Sequence, residues 1–155
     1  MPASRVPISD FIDASKVCLT LSGDTKAEVL RELIMMMRVD PDDGAAILQA
    51  LLRREDLGST GIGRGIAIPH CRTPHAQRLQ VVYGRRPGGL PYDAIDGEPV
   101  VHLFLLIAPP IEVSNEYLPV LGRIAQLAKE ADLPARLSEA KSPEDLVRIL
   151  ADTSV

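Results

Sequence analysis

An almost continuous apolar run limits the folds open to this chain more than any other feature of its sequence. The run reads VVHLFLLIA from Val100 to Ala108 and ends at Pro109-Pro110. A strand that is apolar at nearly every position is typical of the middle of a sheet that is covered on both faces. The run is also much shorter than the roughly 18 residues of a membrane span. We therefore expect a central strand with helices packed on both of its sides.

The segments around this run alternate between strand and helix patterns. Strands are expected at residues 17–21, 66–68 and 79–83. Residues 71–78 and 85–92 are predicted to be a loop and a turn-rich connection. Helices are predicted after the capping box Thr25 to Glu28 and after Asp40-Pro41. Further helices should begin at Ser114-Asn115, Asp132 and Ser142, the first with an inward face of Leu118, Leu121, Ala125 and Ala128. This order predicts an α/β sandwich with helices on both faces of a central sheet.

Length and composition indicate one globular domain. The chain has 155 residues, of which 46% are hydrophobic and 25% are charged, and a chain of this size most often forms a single domain. We expect residues 1–8 to be a lead-in and residues 9–155 to form the domain. The net charge of −4 argues against nucleic-acid binding, which requires a basic surface. The first residues lack the pattern of a secretion signal, so we expect a cytoplasmic protein without membrane insertion.

The segment of residues 53–71, RREDLGSTGIGRGIAIPHC, combines a glycine-rich stretch with a histidine. Gly61, Gly63 and Gly65 precede a short apolar strand, which ends at Pro69 and His70. Glycine allows positive φ and close backbone approach, and consecutive free N–H groups in such loops bind anions. The pattern predicts an imidazole beside an anion site.

Other chemical sites fit this pattern less well. The glycines follow a helix and precede a strand, which is the reverse of a dinucleotide-binding loop, and no phosphate-binding Gly-Lys-Ser/Thr occurs. His70, Cys71 and His75 could ligate zinc, but their spacing is not that of a known finger. A serine hydrolase would need a Gly-x-Ser-x-Gly elbow, which the sequence lacks. His102 lies inside the long apolar run and is predicted to be a core histidine with one hydrogen bond.

His70 is therefore the candidate nucleophile, because a neutral imidazole can attack phosphorus and form a covalent intermediate. The hydroxyls of Ser59 and Thr60 and the backbone N–H groups of residues 59–65, which include Gly61 and Gly63, could bind a phosphate. Arg54 is predicted in the last turn of a helix. It could either satisfy carbonyls at the helix end or direct its guanidinium at the anion.

At these residues the sequence resembles a known family. The motifs are Arg54-Glu55, GSTGIG at residues 58–63 and GIAIPH at residues 65–70, with YDAIDGEPV at residues 92–100. They resemble the enzyme IIA domain of the mannitol/fructose class, in its nitrogen-regulatory type, of the bacterial phosphoenolpyruvate-dependent phosphotransferase system. The resemblance implies a mixed sheet and a phosphoryl group passed to His70 from an HPr-like carrier, with help from Arg54 and with no metal or nucleotide cofactor. It also implies a regulatory protein that signals to downstream partners.

Two positions depart from that family's pattern. The family usually carries a second active-site histidine where this chain has Tyr117. A tyrosine hydroxyl can donate a hydrogen bond to phosphate, but it does not become a cation near pH 7. Cys71 stands where glycine is common, and we expect it to be a small buried filler. The alternative function is a non-catalytic adaptor of the same fold with weakened phosphotransfer.

Overall fold

The computed structural model describes residues 8–112 and 115–153. Two short 3₁₀ helices, Ile8–Asp10 and Ala14–Lys16, precede the main elements. The strands are β1 Val17–Cys18, β2 Gly61–Gly63, β3 Ile66–Ala67, β4 His70–Arg72, β5 Gln80–Leu90 and β6 Val100–Ala108. The helices are α1 Lys26–Met35, α2 Pro41–Asp56, α3 Tyr117–Ala128, α4 Leu133–Glu139 and α5 Pro143–Asp152.

The apolar strand β6 lies at the centre of a mixed sheet. The strand order is β1-β5-β6-β3-β2, and β4 also pairs with β6. β5 runs antiparallel to β6, whereas β3 and β4 run parallel to it. The mixed central sheet implied by the family resemblance is confirmed.

The two faces of β6 belong to two separate hydrophobic cores. Phe104, Leu106 and Ala108 pack with residues of α3, α4 and α5, whereas Leu103, Leu105 and Ile107 pack with residues of α1 and α2. Each of these six side chains is almost fully buried. The predicted α/β sandwich, with helices on both faces of the sheet, is therefore confirmed.

Three helices begin where their capping residues predict. Thr25 and Glu28 form a complete capping box at α1. Asp40 accepts a hydrogen bond from the Asp43 N–H at 3.1 Å, and Ser142 accepts one from the Asp145 N–H at 3.0 Å. These side chains satisfy backbone donors that have no partner within the helix.

Two segments predicted as a loop and a turn-rich connection are partly strand, at residues 71–72 and 85–90. β5 continues to Leu90, through the part of residues 85–92 that was predicted as a turn-rich connection. A register irregularity between Arg85 and Leu90 accommodates Pro87 and two glycines with positive φ. Residues 70–72 form β4 by pairing with residues 106–108 of β6, and Cys71 of this strand packs in the α1/α2 core. In contrast, β1 spans two residues and not the five predicted.

The helix after β6 begins later than predicted, and Leu118 does not belong to its inward face. Ser114 lies outside the described residues, and α3 begins at Tyr117. Of the residues predicted to face inward, Ala128 is buried and Leu121 and Ala125 pack against the α3–α5 core, whereas Leu118 is 66% exposed. The side chains of successive residues in an α-helix point about 100° apart. Because Tyr117 is buried, the side chain of Leu118 faces solvent. At the other end of the chain, residues 1–7 of the predicted lead-in lie outside the described residues, and Ile8 is buried in the α3–α5 core.

Candidate active site

Strand β4 fixes the position of His70 on the sheet. His70 is opposite Leu106 in the parallel pairing with β6, and the Leu106 N–H donates to the Pro69 carbonyl at 2.9 Å. Successive side chains of a strand point to opposite faces. Cys71 enters the α1/α2 core, so His70 and Arg72 project from the other face, and both are half-buried. A rigid strand thus presents the imidazole at the surface.

A backbone hydrogen bond determines which nitrogen of His70 carries the proton. Nδ1 of His70 lies 2.6 Å from the carbonyl oxygen of Ile68. A carbonyl oxygen can only accept, so Nδ1 must be the donor in this contact. In the neutral ring the lone pair is then on Nε2. The arrangement defines Nε2 as the nucleophilic nitrogen.

The surroundings of His70 favour its neutral form. Burial lowers the pKa of His70 below its ordinary value of 6.5, and the nearby positive charge of Arg54 lowers it further. The hydrogen bond to Ile68 and the negative charge of Glu55 act in the opposite direction but do not outweigh burial. His70 is therefore unprotonated, and able to act as a nucleophile, at neutral pH.

We expect the ring of His70 to titrate with a midpoint below pH 6.5. Burial disfavours the cation, so the folded protein keeps this ring neutral as the pH falls through 6.5, whereas the unfolded chain becomes protonated there. The stability that His70 contributes is complete above pH 6.5 and is lost as the pH falls through the lower, folded-state pKa. An NMR titration of the histidine rings would measure the midpoint, with the His70 signals assigned from a His70→Gln variant. A midpoint at or above 6.5 would contradict the prediction.

Tyr117 and Arg72 lie beside His70. The ring centroids of His70 and Tyr117 are 6.1 Å apart, and the guanidinium carbon of Arg72 lies 4.4 Å from the Tyr117 ring centroid. Burial raises the pKa of Tyr117 to about 12, so its hydroxyl remains protonated and neutral. Arg72 was missed by the sequence reasoning because residues 71–78 were expected to be a loop. Strand alternation from His70 to Arg72 is the signal that could have identified it.

Arg54 satisfies a carbonyl, which is one of the two roles that the sequence left open. Its Nη1 donates to the Gly58 carbonyl at 2.8 Å, which satisfies a carbonyl just beyond the end of α2. Its positive charge also lowers the pKa of both His70 and Tyr117, so it is close enough to act on the site electrostatically. One guanidinium can do both, because it has several donors.

The predicted phosphate-binding residues form a hairpin and a buried network. The Thr60 N–H donates to Glu55 at 3.1 Å, and the Thr60 hydroxyl also bonds to that carboxylate. The Ser59 hydroxyl donates to the Tyr92 carbonyl at 2.8 Å and accepts from the Gly61 N–H at 3.0 Å. These donors serve internal hydrogen bonds. Phosphate binding by Ser59, Thr60, Gly61 and Gly63 therefore stays a prediction.

The structure explains the glycines at positions 61 and 63 by a tight hairpin and not by an open anion-binding loop. Gly61 and Gly63 belong to β2, which pairs antiparallel with β3. A Cβ on Gly61 would lie 2.9 Å from the Ala94 Cα, so only glycine allows this approach. Gly63 has φ of +100° and leads into the turn at Arg64. The glycines thus build a tight hairpin next to the residue 92–96 segment.

The remaining histidines and Cys71 have other surroundings. Nδ1 of His75 lies 3.0 Å from the Asp43 carboxylate. Cys71 is buried, and burial raises its thiol pKa to about 12, as befits the predicted filler. Within residues 8–112 and 115–153, no three His, Cys, Asp or Glu side chains are placed to hold a metal ion. His102 is buried, with its Nδ1 2.6 Å from the Tyr83 hydroxyl and its Nε2 3.3 Å from the Ser138 hydroxyl. The predicted core histidine is confirmed, but its ring has two hydrogen-bond partners and not one.

The described part of the chain contains no helix that is both long and apolar enough to cross a membrane. Together, the fold and the site define an α/β sandwich with a neutral imidazole at its surface, flanked by arginine and tyrosine side chains. This combination suits acceptance of an anionic group on nitrogen.

Comparison with known proteins identifies the family. Residues 10–153 match the family described as phosphoenolpyruvate-dependent sugar phosphotransferase system, EIIA 2. The chain belongs to this family.

Several relatives share most of the chain. The nitrogen regulatory protein of Pseudomonas aeruginosa is 34% identical over 149 residues, which cover 95% of this chain and 96% of that protein. The fructose-specific EIIABC component of Bacillus subtilis is 30% identical over 92% of this chain, which spans 23% of that longer protein. The crystal structure of the nitrogen regulatory protein IIA-Ntr from Neisseria meningitidis has a TM-score of 0.83 and 28% identity, covering 92% of this chain and 98% of its own.

Proposed function

We propose that this protein accepts a phosphoryl group on Nε2 of His70 from the phosphohistidine of an HPr-like carrier. The observation that carries the proposal is the hydrogen bond between Nδ1 of His70 and the Ile68 carbonyl. It holds the proton on one nitrogen and leaves the lone pair on the other, on a half-buried ring that burial keeps neutral.

The transfer is a single exchange of nitrogen–phosphorus bonds. The Nε2 lone pair of His70 attacks phosphorus, and the bond between phosphorus and the donor nitrogen breaks with its electron pair returning to the donor ring. A donor ring that enters protonated on its second nitrogen leaves as neutral imidazole. The ring of His70 takes up the positive charge, with its Nδ1 proton still held at Ile68. Such a reaction depends mainly on positioning and on charge stabilisation.

The side chains around His70 support this reaction. Arg54 contributes a positive charge that would offset the charge of the phosphoryl group, and the protonated Tyr117 hydroxyl can donate to a phosphoryl oxygen. The predicted roles of Ser59, Thr60 and Gly61 would require their present hydrogen bonds to be exchanged for bonds to phosphate, and Gly63 would contribute its backbone N–H. No metal or nucleotide enters the transfer.

Exposed apolar side chains provide a docking surface for the carrier. Leu57 follows the helix that carries Arg54, and Leu118 is adjacent to Tyr117. Ile62 and Ile95 belong to neighbouring segments, since the Ile95 N–H donates to the Gly61 carbonyl at 3.0 Å. All four are substantially exposed. An apolar surface that borders a reactive group is the usual sign of a protein-binding site.

The chain would work as a cytoplasmic regulator. Several of its relatives are named nitrogen regulatory proteins, and the phosphorylated and unphosphorylated states of His70 would present different charges to downstream proteins. Residues 9–155 would form the enzyme IIA-like domain, to whose core the buried Ile8 also belongs.

Incubation with a phosphorylated HPr-like carrier would test the proposal. We expect the intact mass to increase by one phosphoryl group, and the modified peptide to contain His70. The adduct should be labile in acid and stable in base, as phosphoramidates are. An unmodified protein, or a phosphoryl group on a peptide without His70, would overturn the proposal.

The presence of Tyr117 in place of a histidine supports the alternative of a non-catalytic adaptor with weakened phosphotransfer. The same experiment separates the two functions through its time course. A phosphocarrier should be modified to near completion and should pass the group back to the dephosphorylated carrier. An adaptor should accumulate the adduct slowly and incompletely.

A further inference from the structure

Arg72 is the side chain at this site to which the family resemblance gives no role. It leaves β4 on the same face as His70, two residues further along, so their Cα atoms are roughly 7 Å apart. Its guanidinium lies over the ring of Tyr117, at 4.4 Å from the centroid, and its Nη1 donates to the Pro109 carbonyl at 3.3 Å. The cation is thus held between Tyr117 of α3 and Pro109, which follows β6.

The stacking on Tyr117 explains how a long, flexible side chain keeps a defined place. A guanidinium over an aromatic ring is attracted by the electrons of the ring face. Such stacking lets the N–H donors form hydrogen bonds in the plane of the group, as Nη1 does with the Pro109 carbonyl. Tyr117 itself lies 6.1 Å from His70, centroid to centroid. The Tyr117 ring therefore contacts the guanidinium of Arg72 and also lies close to the imidazole of His70.

A phosphoryl group on His70 needs such a cation. The group carries close to two negative charges at neutral pH, and the neutral Tyr117 hydroxyl offers one hydrogen bond but no charge. Arg54 supplies positive charge from the end of α2. Arg72 would supply it from β4, and a planar guanidinium can bind two phosphoryl oxygens at once.

We propose that Arg72, positioned by the ring of Tyr117, binds the phosphoryl oxygens during transfer to His70 and stabilises the phosphohistidine that results. Arg72 is then a catalytic residue, and Tyr117 is its positioning residue. The inference rests on the proposed function, since it assigns roles within the same phosphoryl transfer.

The test uses phosphoramidate as a small phosphoryl donor, so that docking of a protein carrier does not enter the rate. The formation and hydrolysis of phosphorylated His70 are followed by ³¹P NMR and intact mass. We expect Arg72→Gln to slow formation by at least about tenfold and to shorten the lifetime of the adduct. Arg72→Lys should fall between this variant and the unmodified protein, because it keeps the charge without the planar fork.

Variants of Tyr117 test the positioning role. Tyr117→Phe keeps the ring and loses only the hydrogen bond of the hydroxyl to the phosphoryl group, so it should slow formation much less than Tyr117→Ala, which should resemble Arg72→Gln. The double variant, Arg72→Gln with Tyr117→Ala, should be phosphorylated no more slowly than either single variant, because each single substitution already removes the interaction between Arg72 and Tyr117. Arg148→Gln is the matched control. It removes one positive charge from an exposed side chain on α5 and should leave the rate unchanged.

The outcomes separate this inference from the function on which it rests. Equal rates and lifetimes for Arg72→Gln and the unmodified protein would overturn the role of Arg72 while leaving phosphorylation of His70 intact. A defect with the protein carrier but not with phosphoramidate would also overturn it, because Arg72 would then contact the carrier. Absence of any adduct in the unmodified protein would reject the proposed function itself. Thermal unfolding of each variant checks that a rate change does not reflect loss of the fold.

Discussion

Replacement of Glu55 with alanine is expected to lower the free energy of unfolding by about 3 kcal/mol. The Glu55 carboxylate is buried and accepts hydrogen bonds from Lys26 at 3.1 Å, from the Thr60 N–H at 3.1 Å and from the Tyr92 hydroxyl at 3.1 Å. Removal of the carboxylate leaves these donors without their acceptor. The cost of such a loss exceeds the net value of the hydrogen bonds themselves.

Urea denaturation followed by circular dichroism would measure this loss. Glu55→Gln keeps an oxygen acceptor and loses only the charge, so it should be less destabilising than the alanine variant. Glu139→Ala serves as a control, because Glu139 is exposed at the end of α4 and should change stability by less than about 0.5 kcal/mol. An alanine variant at position 55 within about 0.5 kcal/mol of the unmodified protein would show that the network contributes little.

Replacement of His70 with glutamine is expected to abolish phosphoryl acceptance, with a fall of at least about 10³-fold in rate. A side-chain amide is not a nucleophile at neutral pH, although its N–H can still donate to the Ile68 carbonyl. Since His70 is only half-buried, the free energy of unfolding should change by less than about 1 kcal/mol. The loss would then belong to the chemistry and not to the fold.

His75→Gln provides the matched control for this variant. His75 lies five residues further on and is paired with Asp43, so its replacement should leave the phosphoryl adduct intact. The adduct would be quantified by intact mass after incubation with the phosphorylated carrier. Retention of the adduct in His70→Gln, or its loss in His75→Gln, would assign the acceptor to another residue.

The layers of this fold could be predicted from the sequence because the apolar run from Val100 to Ala108 fits only a strand inside a covered sheet. A strand without a polar face must be covered on both of its faces. The capping residues Thr25, Asp40 and Ser142 mark the starts of helices that can cover it. The motif around His70 was also local enough to identify as a candidate site. Each of these signals depends on neighbours in the chain and not on distant contacts.

Other features depended on contacts that no local pattern reports. β5 extends past Pro87 because its antiparallel neighbour β6 continues the pairing beyond an irregularity. Residues 70–72 form β4 because they pair with residues 106–108 of β6. This pairing puts the side chains of His70 and Arg72 on the same face of the sheet. The donors of Thr60 serve Glu55, a residue five positions earlier whose burial could not be known. Tertiary contacts decided each of these positions.

The bond from Nδ1 of His70 to Ile68 has a consequence for how the site can vary. Its acceptor is a main-chain oxygen, which every residue type at position 68 would provide. Substitutions at neighbouring positions, such as Tyr117→His or Cys71→Gly, would alter the rate of the proposed phosphoryl transfer and the lifetime of the phosphohistidine. They would not change which nitrogen accepts the group in that transfer, because the backbone carbonyl holds the proton on Nδ1 and leaves Nε2 to react.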